Sequence, residues 1–343
     1  MFFDDIVVFT DIHFGMKSNS RLHNADCEDF IKWMIERAQA RGIRKCIFMG
    51  DWHHNRATIN VSTLNYTTSC LGFLNDAFDE TYMIMGNHDL YYREKREIHS
   101  IPMAHLYPKI KVINDGFFIE DGIALIPWLV EDEHKKLSKI KNVKYVFGHF
   151  ELPNFFMNAM VQMPDHGHGA KDEDFKNFEK VFSGHFHKRQ KRNNIIYPGN
   201  CFPHNYADAW DDDRGIMFMK WDGTIEYEKW PDAPTYRTVP LSKLIDEPEK
   251  ILQNKTNCRV TLDVNVTYEE ANYIKETFSQ QYDLREIALI PSKKEEHAQD
   301  WSAGQGEIEI ENVDQIVLSQ LGNIESDVMK NEMLIEIYNG LSK

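Results

Sequence analysis

The sequence predicts an α/β fold whose strands end in metal-ligating side chains, and three observations predict it. Short apolar runs closed by Asp, Asn or His recur at 6–13 (IVVFTDIH), 45–54 (KCIFMGDWHH), 81–89 (TYMIMGNHD), 145–151 (YVFGHFE) and 181–188 (VFSGHFHK). Each has the length of a buried strand, about four to eight residues, and delivers polar groups at its C-terminal end. A stretch of helical period separates the first two. The chain also carries 21 Phe, 14 Tyr and 7 Trp among 343 residues, enough aromatic surface for a sizeable core.

The elements follow in order. DCEDFIKWMIERAQARG (26–42) reads as an amphipathic helix, with Asp26 as N-cap, Phe30, Met34 and Ala38 on one face, and Gly42 past the end. IALIPWLV (123–130) and IIYPGN (195–200) continue the strands, and GIMFMKWDGTIEYEKW reads as a hairpin turning at Asp222-Gly223. Texture changes after KWPDAPTYRTVP (229–240). CRVTLDVNV (258–266) alternates as a strand, TYEEANYIKETFSQQ opens with a capping box from Thr267 to Glu270, and LREIALIPS (284–292) is a further strand. The expected organisation is therefore a catalytic domain over 1–229 and a small βαβ domain over 230–292. A polar linker over 293–312 and a helical tail over 313–343 follow. In the tail, Ile316, Val317 and Leu321 share one face and Leu334, Ile337, Tyr338 and Leu341 another. Faces this small need a partner surface.

Lys plus Arg number 39 against 54 Asp plus Glu, a formal charge of −15 that by itself disfavours a phosphate-rich partner. That figure leaves out 15 His and any bound cation. Five dispersed cysteines show no C-x-x-C pair, so neither a zinc knuckle nor a redox dithiol is indicated. The acidic N-terminus does not resemble a signal peptide, and no apolar run approaches the roughly 18 residues that span a bilayer. The expected setting is cytoplasmic.

The chemistry lies in the strand ends. Asp11 and His13, two residues apart, share one side of an extended strand. Asp51 and His54 end the next, Asn87, His88 and Asp89 the third, His149 the fourth, and His185 with His187 the fifth. Three Asp, one Asn and six His at one sheet edge are the inventory of a two-metal site. Oxygen and imidazole donors without thiolate suit Mn²⁺, Fe²⁺ or Zn²⁺. Two divalent ions about 3.5 to 4 Å apart repel, so a bridging carboxylate is needed, and Asp51 is the natural bridge. Such a pair generates hydroxide near neutral pH and neutralises phosphoryl charge but leaves the departing alkoxide without a proton. His88 suits that task, with Asp89 beside it to fix the tautomer.

Singly, each motif has a plainer explanation as a surface pair, a turn or a strand end; together and in this order they outweigh it. His166 and His168 fall in a Gly- and Pro-flanked loop, His53 is expected to point away from His54, and His23 and His204 lack supporting neighbours. Lys188, Arg189, Lys191 and Arg192 follow the last histidine pair and are candidates for phosphate-backbone contact. Tyr91 and Tyr92 are candidates to stack or wedge against a nucleotide.

The order DIH, GDWHH, GNHD, GHFE, GHFH resembles the calcineurin-like metallophosphoesterases. It is most similar to the SbcD-type nuclease subunits of double-strand-break repair complexes, including the recombination endonuclease subunits of T-even-type phages. The likeness covers about residues 5–225; 230–292 and the tail match the family's capping domain and partner-binding tail only in placement. The resemblance implies an αββα two-sheet sandwich. It implies that Asp11, His13, Asp51 and His187 hold one ion and Asp51, Asn87, His149 and His185 the other. It also implies His88 as catalytic acid, His54 near the scissile phosphate, Mn²⁺ as the usual cation with Mg²⁺, Fe²⁺ or Zn²⁺ as alternatives, and DNA as substrate. The partner implied is an SbcC-type SMC-like ATPase bound through the C-terminal helices, with each subunit dimeric. Trp52 and His53 depart from the apolar residues expected in the middle motif. Two other readings stay open: a phosphomonoesterase of protein-phosphatase type, and a non-catalytic metal-binding scaffold.

Overall fold

The computed structural model describes residues 1–157, 161–165, 167 and 169–291; His166, His168, the linker and the proposed partner-binding residues Ile316, Val317, Leu321, Leu334, Ile337, Tyr338 and Leu341 lie outside them. Two six-stranded sheets form the body. The first runs Ile225–Glu228, Ile216–Lys220, Asp5–Phe9, Lys45–Phe48, Glu80–Ile84, Ile110–Ile113. The second runs Gln190–Arg192, Ile195–Tyr197, Lys180–Gly184, Tyr145–His149, Ile123–Ile126, Phe118–Glu120. Central strands in both are parallel, which places all five motif-bearing ends on the same side. The expected single sheet edge is thus two edges, three motifs on the first sheet and two on the second.

Alternation along each strand decides the layering. Ile6, Val8, Ile47, Tyr82 and Ile84 meet Leu125, Phe147, Phe182 and Ile196 between the sheets. Val7, Phe9, Cys46 and Phe48 turn outward onto Phe30, Ile31 and Met34 of the helix Arg21–Ala40 and onto Cys70, Leu71 and Leu74 of the helix Val61–Ala77. On the outer face of the second sheet, Ala124, Ile126, Val146 and Val181 are covered by Phe150, Phe155, Phe175 and Phe186. The described helical cover there is only the single turns His134–Leu137 and Asp172–Phe175.

The helix expected from residue 26 begins at Arg21, capped by Ser20, whose hydroxyl accepts from His23 N. Asp26 is not a cap: it is buried inside the helix, where Arg285 grips it through two bonds of 2.5 and 2.6 Å. The helix Val61–Ala77 was not read from the sequence, because its buried face begins with Thr63 and Thr67 and so lacks an apolar period. Asn60 caps it, accepting from Ser62 N at 2.8 Å. The hairpin turns at Asp222-Gly223 as expected, with Gly223 at φ 93°.

Residues 235–291 build a three-stranded parallel sheet, Thr235–Pro240, Thr256–Leu262 and Glu286–Pro291, over a core of Val239, Leu244, Cys258, Val260 and Ile287. The capping box is present at both ends, Thr267 with Glu270, and opens Tyr268–Tyr282. The first strand falls in the Pro-containing stretch 229–240, where none is expected; Pro240, which cannot donate to a ladder, ends it at the sheet edge. Met1–Pro291 forms one compact unit. All five cysteines are buried and free, and no described helix is long and apolar enough to cross a membrane.

Two buried histidines make the fold acid-labile. His23 Nε2 meets the His13 carbonyl at 3.0 Å, and the His53 ring lies between Ser100 Oγ (2.8 Å) and Thr67 Oγ1 (3.0 Å). Burial pulls both down to about 3. Unfolded histidine takes its proton near pH 6.5, so the unfolded chain binds more protons below that value. Their stabilisation is complete above pH 6.5 and is lost as pH falls toward 3. Together they cost about 3 kcal/mol between pH 6.5, where the unfolded rings are half protonated, and pH 5, approaching 1.4 kcal/mol per pH unit for each group. Urea unfolding of metal-free protein at pH 7.5 and pH 5 measures this, and equal midpoints would contradict it.

Candidate metal centre

The loops leaving the strands are built tightly. Asp11 (φ 53°), His13 (φ 53°), Asp51 (φ 63°) and His185 (φ 91°) all occupy the left-handed region, each costing of order 1–3 kcal/mol. Cross-loop bonds hold them there, Asp11 N to the Gly50 carbonyl at 3.0 Å and His13 N to the Asp51 carbonyl at 3.1 Å. Two glycines let the loops approach. A Cβ on Gly86 would strike Asp51, and one on Gly184 would strike Thr10 Oγ1 and the Met49 carbonyl.

The geometry brings the expected ligands into two groups, Asp11, His13 and His187 in one and Asp51, His149 and His185 in the other, each with donor atoms within 4.8 Å of one another. His13 Nε2 lies 3.2 Å from His187 Nε2 and 3.9 Å from Asp11 Oδ1. Asn87 Oδ1 lies 3.1 Å from His149 Nε2 and 2.9 Å from His185 Nδ1. Asp51 Oδ2 stands between the groups, 3.7 Å from His13 Nε2 and 3.4 Å from His149 Nε2. His149 Nδ1 donates to the Met49 carbonyl at 2.8 Å, which turns Nε2 inward.

This donor set fits divalent cations. Asp11 and Asp51 are buried, and among the described residues no lysine or arginine forms an ion pair with either. Burial pushes the Asp51 carboxyl up, but His149 and His13 outweigh burial and hold it well below the usual range. Burial alone would depress His149; Asp51 reverses this and raises it. Burial keeps His13 neutral, its pKa far below the ordinary value, and its Nδ1 has no hydrogen-bond partner.

His88 sits on the rim. Its Nδ1 faces the His54 carbonyl at 2.7 Å; a carbonyl only accepts, so Nδ1 carries the hydrogen and Nε2 is left free. His54 stacks on it at 5.4 Å, and its own pKa is lowered by burial and then by His88. Trp52 and His53 point away from the rim, Trp52 into the helix-side core against Phe14 and Phe48. The expectation that Asp89 fixes the His88 tautomer does not hold. Asp89 is fully buried and accepts from the backbone N–H groups of Asp51 (2.8 Å), Trp52 (2.9 Å), His53 (3.2 Å) and Gly86 (2.9 Å). It ties the second motif loop to the third, while a backbone carbonyl orients His88. Burial and the Asp51 charge push its carboxyl up, and the four donors oppose them.

The basic cluster is partly neutralised. Arg189 bonds Asp213 (2.5 Å) and the Pro198 carbonyl, and Arg192 bonds Asp172 (2.6 Å) and the carbonyls of Pro153 and Asn154. Both guanidinia are thus engaged within the chain, while the two lysines of the cluster are not ion-paired among the described residues. Lys188 lies over the Phe156 ring and Lys191 is exposed. Tyr91 and Tyr92 are 43% and 47% exposed on the hairpin Leu90–Tyr92/Lys95–His99. The acidic run 208–213 is spent on Arg214, Arg237 and Arg189.

Sequence reasoning missed three neighbours of the site. Glu151 touches His185. His23 holds the His13 carbonyl. His204, fully buried with neither ring nitrogen partnered, packs 5.6 Å from His13 and 5.4 Å from His187. GHFE displays Glu151 two residues past His149, but only the fold shows what it faces.

"Exonuclease subunit 1" of Enterobacteria phage T4 is 27% identical over 346 residues, spanning 96% of each chain. Among solved structures, a Pseudomonas putida nuclease MPE aligns at 18% identity and TM-score 0.30 over 56% of this chain and 66% of its own. A dimetal phosphatase from Danio rerio aligns at 10% identity and TM-score 0.39 over 63% and 92%. The family model for calcineurin-like phosphoesterases matches residues 5–189, more than half the chain and all five motifs. With its strand-end Asp, Asn and His gathered across two sheets, the chain belongs to the calcineurin-like phosphoesterase family.

Proposed function

We propose that this chain is a two-metal-dependent DNA exo- and endonuclease, hydrolysing phosphodiester bonds beside an SbcC-type SMC-like ATPase in double-strand-break repair and recombination. The observation that carries the two-ion reading is Asp51 Oδ2, placed between the imidazoles of His13 and His149. The full-length likeness to a phage exonuclease subunit supports DNA as substrate. In this reading Asp11, His13, Asp51 and His187 hold one ion, and Asp51, Asn87, His149 and His185 the other, Mn²⁺ in each case. Bound there, the ions supply Lewis acidity toward a phosphoryl group and lower the pKa of water.

The chain's own residues do the rest. Water oxygen forms the new bond to phosphorus and gives up a proton to solvent as the bond to the leaving oxygen breaks, and protonated His88 gives its Nε2 hydrogen to that leaving oxygen. His54, stacked on His88, lies where the scissile phosphate approaches. Lys188, Lys191, Tyr91 and Tyr92 contact the DNA, and residues 230–292 cap it. Residues 313–343 bind the ATPase, and the subunit acts as a dimer. Digestion of end-labelled duplex DNA with Mn²⁺, with and without ATP and the partner, tests the proposal. Chelator-sensitive cleavage is expected. A chain inert even with its partner, or one that turns over a phosphopeptide faster than DNA, overturns it.

A further inference from the structure

Glu151 lies outside both ligand groups yet touches one of their members. Its Oε2 is 3.1 Å from His185 Nε2, while His185 turns the opposite nitrogen, Nδ1, to Asn87 Oδ1 at 2.9 Å. An ionised carboxylate only accepts, so Nε2 carries the hydrogen and the lone pair is left on Nδ1, the nitrogen turned to Asn87 in the site where His185 groups with Asp51 and His149. Without such a partner the imidazole is free to put its hydrogen on either nitrogen, and one of the two tautomers cannot bind a cation at Nδ1.

Glu151 is itself fixed from the far side. Arg93 donates to the same oxygen at 2.8 Å, and its guanidinium lies 5.3 Å from the centre of the Trp128 ring. Trp128 in turn donates Nε1–H to the Arg93 carbonyl at 3.1 Å and packs 5.3 Å from the His185 ring. Arg93 follows Tyr92 at the turn of the exposed hairpin, so His185 is braced by two side chains that both answer to that turn. A surface pair between Arg93 and Glu151 alone would add little and would leave metal affinity untouched. The contact with His185 makes the difference.

We propose that Glu151 is a positioning residue which, through its bond to His185 Nε2–H, holds Nδ1 open to the second divalent ion. This rests on the two-ion reading above. Carboxylate–histidine–metal arrangements of this kind set both the tautomer and the basicity of the ligand, and losing the carboxylate weakens metal affinity by roughly 10- to 100-fold.

Mn²⁺ titrated into the full metal-free chain, followed by calorimetry and by electron paramagnetic resonance of bound Mn²⁺, tests it without reference to cleavage. The wild type is expected to take up two ions. Glu151→Ala is expected to bind the first as the wild type does and the second about 10- to 100-fold more weakly. Glu151→Gln, whose amide oxygen still accepts from Nε2–H, is expected to fall between the two, and it carries the test if the alanine variant does not fold. A wild type with two ions whose second affinity is unchanged in both variants overturns the role of Glu151 alone. A wild type that binds a single ion overturns the two-ion reading and this proposal with it.

Discussion

His88→Ser is expected to lose roughly 10²- to 10⁴-fold in cleavage of DNA while still binding Mn²⁺ and DNA as the wild type does. The ring is not among the ligands proposed for either ion; its donor atoms approach those of His13 and His54, but its Nδ1 is committed to the His54 carbonyl. What disappears is therefore the proton for the leaving oxygen and not a ligand. A diester with a nitrophenolate leaving group, which departs without protonation, separates the two. The variant should hydrolyse it at close to the wild-type rate. If both substrates suffer equally, or if Mn²⁺ uptake falls together with cleavage, His88 acts by holding the site and not as an acid.

Asp89→Ala is expected to destabilise the metal-free fold by about 3–5 kcal/mol and to abolish tight uptake of both ions. Four backbone N–H groups lose their shared acceptor in a fully buried place. An unpartnered buried donor costs about 1–3 kcal/mol, partly relieved by relaxation or entry of water. Asp51 N is one of the four, so the gain in loop freedom falls directly on Asp51. Asp89→Asn keeps one acceptor oxygen but turns an NH₂ toward the remaining donors, and should lie between alanine and wild type. Urea unfolding with Mn²⁺ titration measures both effects. Unchanged stability with a shifted pH–rate profile would instead restore the idea that Asp89 acts on His88.

Local patterns in the sequence determined much of this protein. Strand ends bearing DIH, GDWHH, GNHD, GHFE and GHFH, the Thr267–Glu270 capping box and the Asp222-Gly223 turn depend on spacings of two to four residues, which the backbone converts directly into geometry. The helix Val61–Ala77 escaped because threonines on its buried face, one of which bonds His53, break the apolar period. Charge misled in the same way. Arg189 and Arg192 look like free cations in sequence, yet Asp213 and Asp172, more than about a dozen residues away, consume them. Only the tertiary structure decided that the motif strands divide between two sheets, that Asp89 serves the backbone and not His88, and that Glu151 faces His185. Periodicity states which side of a strand a residue occupies, but the group it meets there comes from another strand, and packing alone selects that partner.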